Sequence, residues 1–121
     1  MKTYTGMIIR GNLKIFVCDH DDKNYTYELE HIKTHSPSGM NIGYCGSGPA
    51  DTALSILTDC LDRKSAELFY EFFKSDFVAI WQPFGVICFQ IHSTEIEKWM
   101  NDNFTYDLDS ETIERKAVHG R

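Results

Sequence analysis

Gly43-Tyr44-Cys45-Gly46-Ser47-Gly48-Pro49-Ala50 runs directly into Asp51-Thr52-Ala53-Leu54-Ser55-Ile56-Leu57, and this junction divides a strand-like half of the chain from a helix-like half. Three glycines within six residues imply positive φ or close backbone approach. Pro49 suits a first helical position, where its missing N–H would be an orphan anyway. Ser47 or Gly48 then stands at the N-cap, and Asp51 falls in the first turn, where the helix dipole favours a carboxylate. Ala50, Ala53, Leu54, Leu57, Cys60 and Leu61 recur at helical spacing, so a helix is expected from Pro49 to near Leu61. Two readings of the junction stand side by side. The N–H groups of Cys45 to Ala50 could cradle an anion such as phosphate or a nucleotide. Alternatively the stretch is a tight structural turn capped by its own Asp51. The residues that could bind a ligand or partner here are His35, Ser36, Tyr44, Cys45, Gly46, Ser47 and Gly48.

The established glycine motifs do not fit. A P-loop needs a lysine after its last glycine, and none is near Gly48. Gly43, Gly46 and Gly48 have the reverse of the dinucleotide-binding spacing. Cys45 and Pro49 flank Ser47 where a nucleophile elbow needs glycines.

Upstream, Tyr4–Arg10, Leu13–Cys18 and the stretch from Tyr25 to Glu30 alternate as strands, with a turn at Gly11-Asn12 and a polar turn over 19–24. Asp19, Asp21 and Glu30 have a faint calcium-loop spacing, but Lys23 and Asn24 occupy positions that need a ligand and a glycine. His31 and His35 have metal-like spacing, yet Pro37 argues against a helix and no third ligand is evident. No metal and no cofactor is therefore expected. Residues 31–40 read as a loop, and a long one when joined to Gly43, a length that is uncommon unless functional or flexible.

Downstream, Ser65 can cap a second helix from Ala66 to about Ile80, with Leu68, Phe69, Phe72, Phe73, Phe77 and Ile80 as an apolar stripe. Val86–Ile91 is an apolar run that reads as a strand buried on both faces or central in the sheet. Thr94 and Glu97 have capping-box spacing ahead of a third helix. The expected fold is α+β: a small antiparallel sheet of about four strands with three helices packed on one face. One domain is expected over residues 1–103, followed by an acidic, poorly ordered tail or short extra helix over 104–121.

The chain has 121 residues and a formal net charge of −6. That balance argues against nonspecific nucleic-acid binding and against an anionic membrane surface, both of which need a basic face. No run of residues is long and apolar enough for a membrane span, and the N-terminal stretch lacks a signal-peptide core. The four cysteines, Cys18, Cys45, Cys60 and Cys88, are widely spaced and read as reduced thiols in the cytoplasm.

The glycine block, together with His35-Ser36-Pro37-Ser38-Gly39, the following Ala66…Phe69-Tyr70…Phe73-Lys74, Ile96…Trp99 and the opening Tyr4-x-Gly6, resembles a small domain of unknown function found in bacteria, archaea and phages. That family carries a Gly-Tyr-Gly-Gly-Ser-Gly-Pro-Ala signature, and the likeness covers roughly residues 4 to 100. The chain departs from it at Cys45, where the pattern has glycine, and at Met40-Asn41-Ile42, where an aromatic is commoner. The resemblance implies no activity and no catalytic residue; it implies a setting of phages and mobile elements.

The leading functional expectation is a non-enzymatic binding protein of that setting: an inhibitor of a host defence protein or nucleoprotein that docks through an acidic surface. The alternative is a module that binds a nucleotide or other small anion at the glycine loop. An enzyme with Cys45 as nucleophile and His35 as base ranks below both, because no third residue orients the pair.

Overall fold

The structure is a computed structural model and describes residues 1–116. Strands β1 (Lys2–Ile9), β2 (Asn12–Asp19) and β3 (Tyr25–Glu28) lead into the glycine loop. Helices α1 (Ser47–Cys60) and α2 (Arg63–Asp76) follow, then a short 3-10 turn, Val78–Ile80. Strand β4 (Ile87–His92), helix α3 (Ser93–Asn103) and a hairpin of β5 (Phe104–Asp107) and β6 (Thr112–Arg115) complete the order. The main sheet is antiparallel with order β3-β2-β1-β4, which is the α+β architecture expected from the segregated runs.

The pleat explains which face carries the helices. Tyr4, Ile15, Val17, Phe89 and Ile91 point to one face and are buried against Ala53, Leu54, Leu57, Phe69, Phe73 and Ile96. Gly6 is there because a side chain would collide with Phe89, whose ring lies 1.9 Å from the place a Cβ would take. The β1–β2 register pairs Ile9 with Asn12, so the turn is Arg10-Gly11, one residue earlier than the glycine alone suggested. Both residues have positive φ, 52° and 82°, as a hairpin turn matching the strand twist requires.

Further expectations need correction. The apolar run ending at Ile91 is not a central or doubly buried strand. β4 is the outer strand of the sheet, with Phe89 and Ile91 buried and Ile87 and Gln90 exposed. Helix α2 starts two residues earlier than Ser65, capped by Asp62, whose carboxylate accepts the Ser65 N–H at 2.7 Å. It also stops at Asp76, so Ile80, expected on its apolar stripe, is 65% exposed. The segment from Phe104 to Lys116 is neither tail nor helix. Phe104 is buried with its ring edge-on to Phe69 and Trp99, and Arg115 binds the Asp76 carboxylate at 2.6 Å. The sequence hid this hairpin because its strands are only four residues long and mostly polar. Residues 117–121 of the expected tail lie outside the described residues.

Helix α3 begins at Ser93, one residue before Thr94, with His92 at the N-cap: Glu95 accepts the His92 N–H at 3.2 Å, so Glu95 does the capping expected of Glu97. No helix among the described residues is long and apolar enough to cross a membrane.

Candidate functional site

Asp51 does not cap its own helix. Helix α1 starts at Ser47 with Gly46 in the N-cap position, which puts Asp51 beyond the first turn and turns its side chain into the interior. It is fully buried and organises the loop before it. Its carboxylate accepts the backbone N–H of His35 at 2.8 Å, of Ser36 at 2.9 Å and of Thr34 at 3.3 Å. His31 Nε2 lies 2.8 Å from the same group. Burial alone would push this carboxyl up, but the bonds from His31, Ser36, His35 and Thr34 outweigh it and hold it below the ordinary carboxylate range. Three successive N–H groups converging on one anion form a nest. The chain thus contains an anion cradle, but it lies at Thr34–Ser36, and its anion is the protein's own Asp51.

The glycines of the block are explained by packing. Tyr44 lies across the start of α1. A Cβ on Gly46 would sit 2.6 Å from the Tyr44 ring, and one on Gly48 would sit 2.8 Å from Asn41 Cβ and 3.0 Å from the Tyr44 hydroxyl oxygen. Gly43 has a φ of 88° and donates its N–H to the Val78 carbonyl at 3.0 Å, which docks the loop on the 3-10 turn. Thr52, one turn into α1, closes the other side: its hydroxyl accepts the Asn41 N–H and donates to a carbonyl oxygen of Asn41 or Gly48. Loop and helix are stitched together before any ligand is considered.

The seven candidate residues do not form one constellation. His35 stacks on Tyr70 of α2 with ring centres 5.5 Å apart, while Cys45 is exposed at the mouth of α1. Among the described residues no hydrogen bond joins His35 to Cys45. Ser36 and Tyr44 share a polar cleft of about 200 Å³ with Ile8, Ser38 and Asn41. His35 and Ser36 line a second, of about 180 Å³. A roomier cleft of about 410 Å³, between Lys14, Glu28, Glu30, His31 and Met40, contains none of the seven.

Sequence reasoning missed two other polar clusters, because each joins residues far apart in the chain. Asp59 on α1 accepts the hydroxyls of Tyr4 at 2.7 Å and Tyr27 at 2.5 Å, and Lys2 Nζ at 3.1 Å. Burial, then the bond to Asp59, pushes both phenols above their ordinary value. On the uncovered face of the sheet the Thr3 hydroxyl bridges His20 Nε2 at 2.7 Å and His92 Nδ1 at 2.8 Å. Among the described residues no group of three His, Cys, Asp or Glu could hold a metal ion.

Charge is distributed unevenly across the sheet. No charged residue occurs from Phe77 to Thr94, the segment that contains β4. At the opposite side, around β3, lie Asp19, Asp21, Asp22, Glu28 and Glu30. Lys14 pairs with Glu28 at 3.2 Å, and Lys23 is the one cation in the turn between β2 and β3.

Residues 4–102 match a family described as a family of unknown function, DUF6166, and the chain belongs to it. No curated protein and no solved structure matches the chain.

Proposed function

We propose that this member of a family of unknown function is a non-enzymatic binding protein of phage or mobile-element type. It docks its acidic β3 side on a basic host protein or nucleoprotein, as an inhibitor of host defence would. The observation that carries this reading is the contrast in charge between the two sheet edges: five of the 18 carboxylates gather around β3, with Glu28 paired to Lys14 and Asp21 to the N-terminal amine, whereas β4 is uncharged. An acidic face of this kind steers a basic partner and suppresses wrong ones. Its role without catalysis is supported by how the buried Asp51 and the partly buried Asp59 and Asp76 are used. Asp51 holds a loop, Asp59 holds two tyrosines and a lysine, and Asp76 holds Trp99 and Arg115. The phage setting, and the glycine signature that suggests it, rest on the resemblance at residues 43–50.

The test is a host-lysate capture with the wild-type chain and with Asp21→Lys/Asp22→Lys/Glu30→Lys, paired with a phage-protection assay in a host carrying a defence system. A specific partner that is lost in the triple variant and weakened at high salt supports the reading. A partner indifferent to both changes, or no partner and no effect on defence, refutes it.

A nucleotide or other small anion at the glycine loop is the second reading. It is favoured by the N–H groups of Ser47 and Gly48, which open α1 without an acceptor among the described residues. Tyr44 over the glycines and Asp51 in the neighbouring nest weigh against it. Thermal-shift measurement with inorganic phosphate and ATP tests it; an unchanged melting temperature removes it.

A further inference from the structure

Strand β4 has an open outer edge. Its ladder partner is β1 on one side, and among the described residues no strand pairs with the other. Edge strands normally carry lysine, proline or inward charge that prevents pairing with another chain. β4 carries no lysine, proline or charge: Ile87-Cys88-Phe89-Gln90-Ile91-His92 sits within the charge-free segment from Phe77 to Thr94. Its one irregularity is near its start, where Cys88 is the extra residue between Phe89, opposite Gly6, and Ile87, opposite Met7. The side chains that flank the edge are apolar and exposed. Phe84 is 72% exposed, Val86 76% and Ile87 54%. Ile87 lies opposite Met7, so the exposed Ile9, on the same sheet face as Met7, continues the same patch. Trp81 stacks face to face on Phe89, ring centres 4.0 Å apart, which fixes the preceding segment beside the strand.

We propose that β4 pairs with β4 of a second copy of this chain, joining two four-stranded sheets into one continuous antiparallel sheet. The choice of a second copy follows from charge and symmetry. Two chains of net charge −6 repel over most of their surfaces, and the Phe77–Thr94 segment is where they can approach without opposing charges. An antiparallel pair of identical edges is self-complementary across a two-fold axis, the commonest symmetry of soluble oligomers. Pairing buries the exposed Phe84, Val86 and Ile87 and satisfies the open backbone groups together. It leaves the acidic β3 sides at the two far ends of the joined sheet, so the dimer is independent of what binds there.

Sedimentation velocity of the full chain over a concentration series tests the pairing. Wild type is expected to shift with concentration toward twice its 14.0 kDa. Ile87→Lys and Phe84→Asp are each expected to weaken dimerisation at least tenfold while far-UV circular dichroism stays unchanged. Tyr25→Lys, on the β3 edge, is expected to leave it intact. Should Ile87→Lys unfold the chain, Phe84→Asp decides, since its ring lies on an exposed turn. Amide exchange of wild type gives a variant-free check: residues 86–92 gain protection as concentration rises. A wild type that stays monomeric at hundreds of micromolar overturns the proposal. So does a dimer that survives both β4-side variants, one broken by Tyr25→Lys, or exchange at 86–92 that is independent of concentration.

Discussion

Removing the Asp51 carboxylate should cost more than any other single polar deletion in this chain. The group is fully buried and accepts two well-made backbone bonds, from His35 at 2.8 Å and Ser36 at 2.9 Å, plus a weaker pair from Thr34 and a contact with His31. Asp51→Ala leaves the buried Ser36 N–H without an acceptor, at about 1–3 kcal/mol, and the part-buried His35 N–H at a smaller cost. It also strips His31 of its partner. The sum is about 3–5 kcal/mol, the range for breaking a buried charged contact by removing one side. Against a total stability of about 5–15 kcal/mol, that is enough to leave the chain marginal. Asp51→Asn keeps the shape and one acceptor oxygen but turns an NH2 toward N–H groups, so about 2 kcal/mol is expected. Urea titration followed by circular dichroism measures both, and amide exchange at 34–36 reports whether the loop opens first. A loss below about 1 kcal/mol for Asp51→Ala, within the ordinary range of point substitutions, would refute the carboxylate as the organiser of the loop.

The same group sets a pH dependence. Its pKa is lower in the folded state than in the unfolded chain. Its contribution is therefore complete above the unfolded carboxylate value, about 3.9, and is lost as pH falls through the lower folded value. Wild-type stability should decline below about pH 4, and the decline should be shallower in Asp51→Asn. Equal slopes for the two proteins would show that other carboxylates carry the acid sensitivity.

Gly46→Ala and Gly48→Ala should both destabilise, and Tyr44→Ala should rescue the first but not the second. The obstacle at Gly46 is the half-exposed Tyr44 ring, whereas at Gly48 it includes Asn41 Cβ, which cannot swing away. Overpacking of this kind costs about 1–3 kcal/mol, measurable in a double-mutant cycle of denaturation midpoints. Phe104→Ala should cost about 3–5 kcal/mol, because the ring is buried against Phe69, Phe72 and Trp99; a change under about 1 kcal/mol would return the hairpin to the status of a tail. Among the thiols, Cys45 is exposed, while burial pushes the Cys60 thiol up to about 11. Mass spectrometry after iodoacetamide at pH 8 should find Cys45 modified well before Cys60, and equal rates would contradict this placement.

Much of the fold was legible because local signals agreed with the tertiary outcome. The alternation at Leu13, Ile15 and Val17 names a core face, and these residues are buried. The Phe69–Phe73 stripe does the same for α2. The failures share one physical cause: a local pattern does not say what lies beside it. The apolar run at 86–91 has the composition of a central strand, but centrality depends on a neighbour on each side, and among the described residues only β1 pairs with it. Asp51 near a helix start suggests a dipole cap, yet its angular position on α1 turns it toward the 31–36 loop. Asp59 gave no signal, because its partners Lys2, Tyr4 and Tyr27 come from two strands far upstream.

The glycine loop shows how packing alone can produce a block that reads as a ligand motif. Gly43 is required by its φ of 88° and by the Trp81 carbonyl oxygen, which a Cβ would approach to 3.1 Å. Gly46 and Gly48 have no left-handed backbone; they are small because Tyr44 and Asn41 lie on top of them. Cys45, the position where the family resemblance led to an expectation of glycine, is exposed and does not have positive φ, so a side chain is admissible there. A phosphate-binding loop needs the opposite arrangement, with glycines bare so that a ligand can reach the backbone. Here the bare side is already covered by Tyr44, and the exposed, uncharged surface lies at Phe84, Val86 and Ile87 instead. The glycine loop holds α1 and the Val78–Pro83 segment in fixed relation, and on the reading proposed above the acidic β3 edge and the apolar β4 edge are the surfaces to test for recognition.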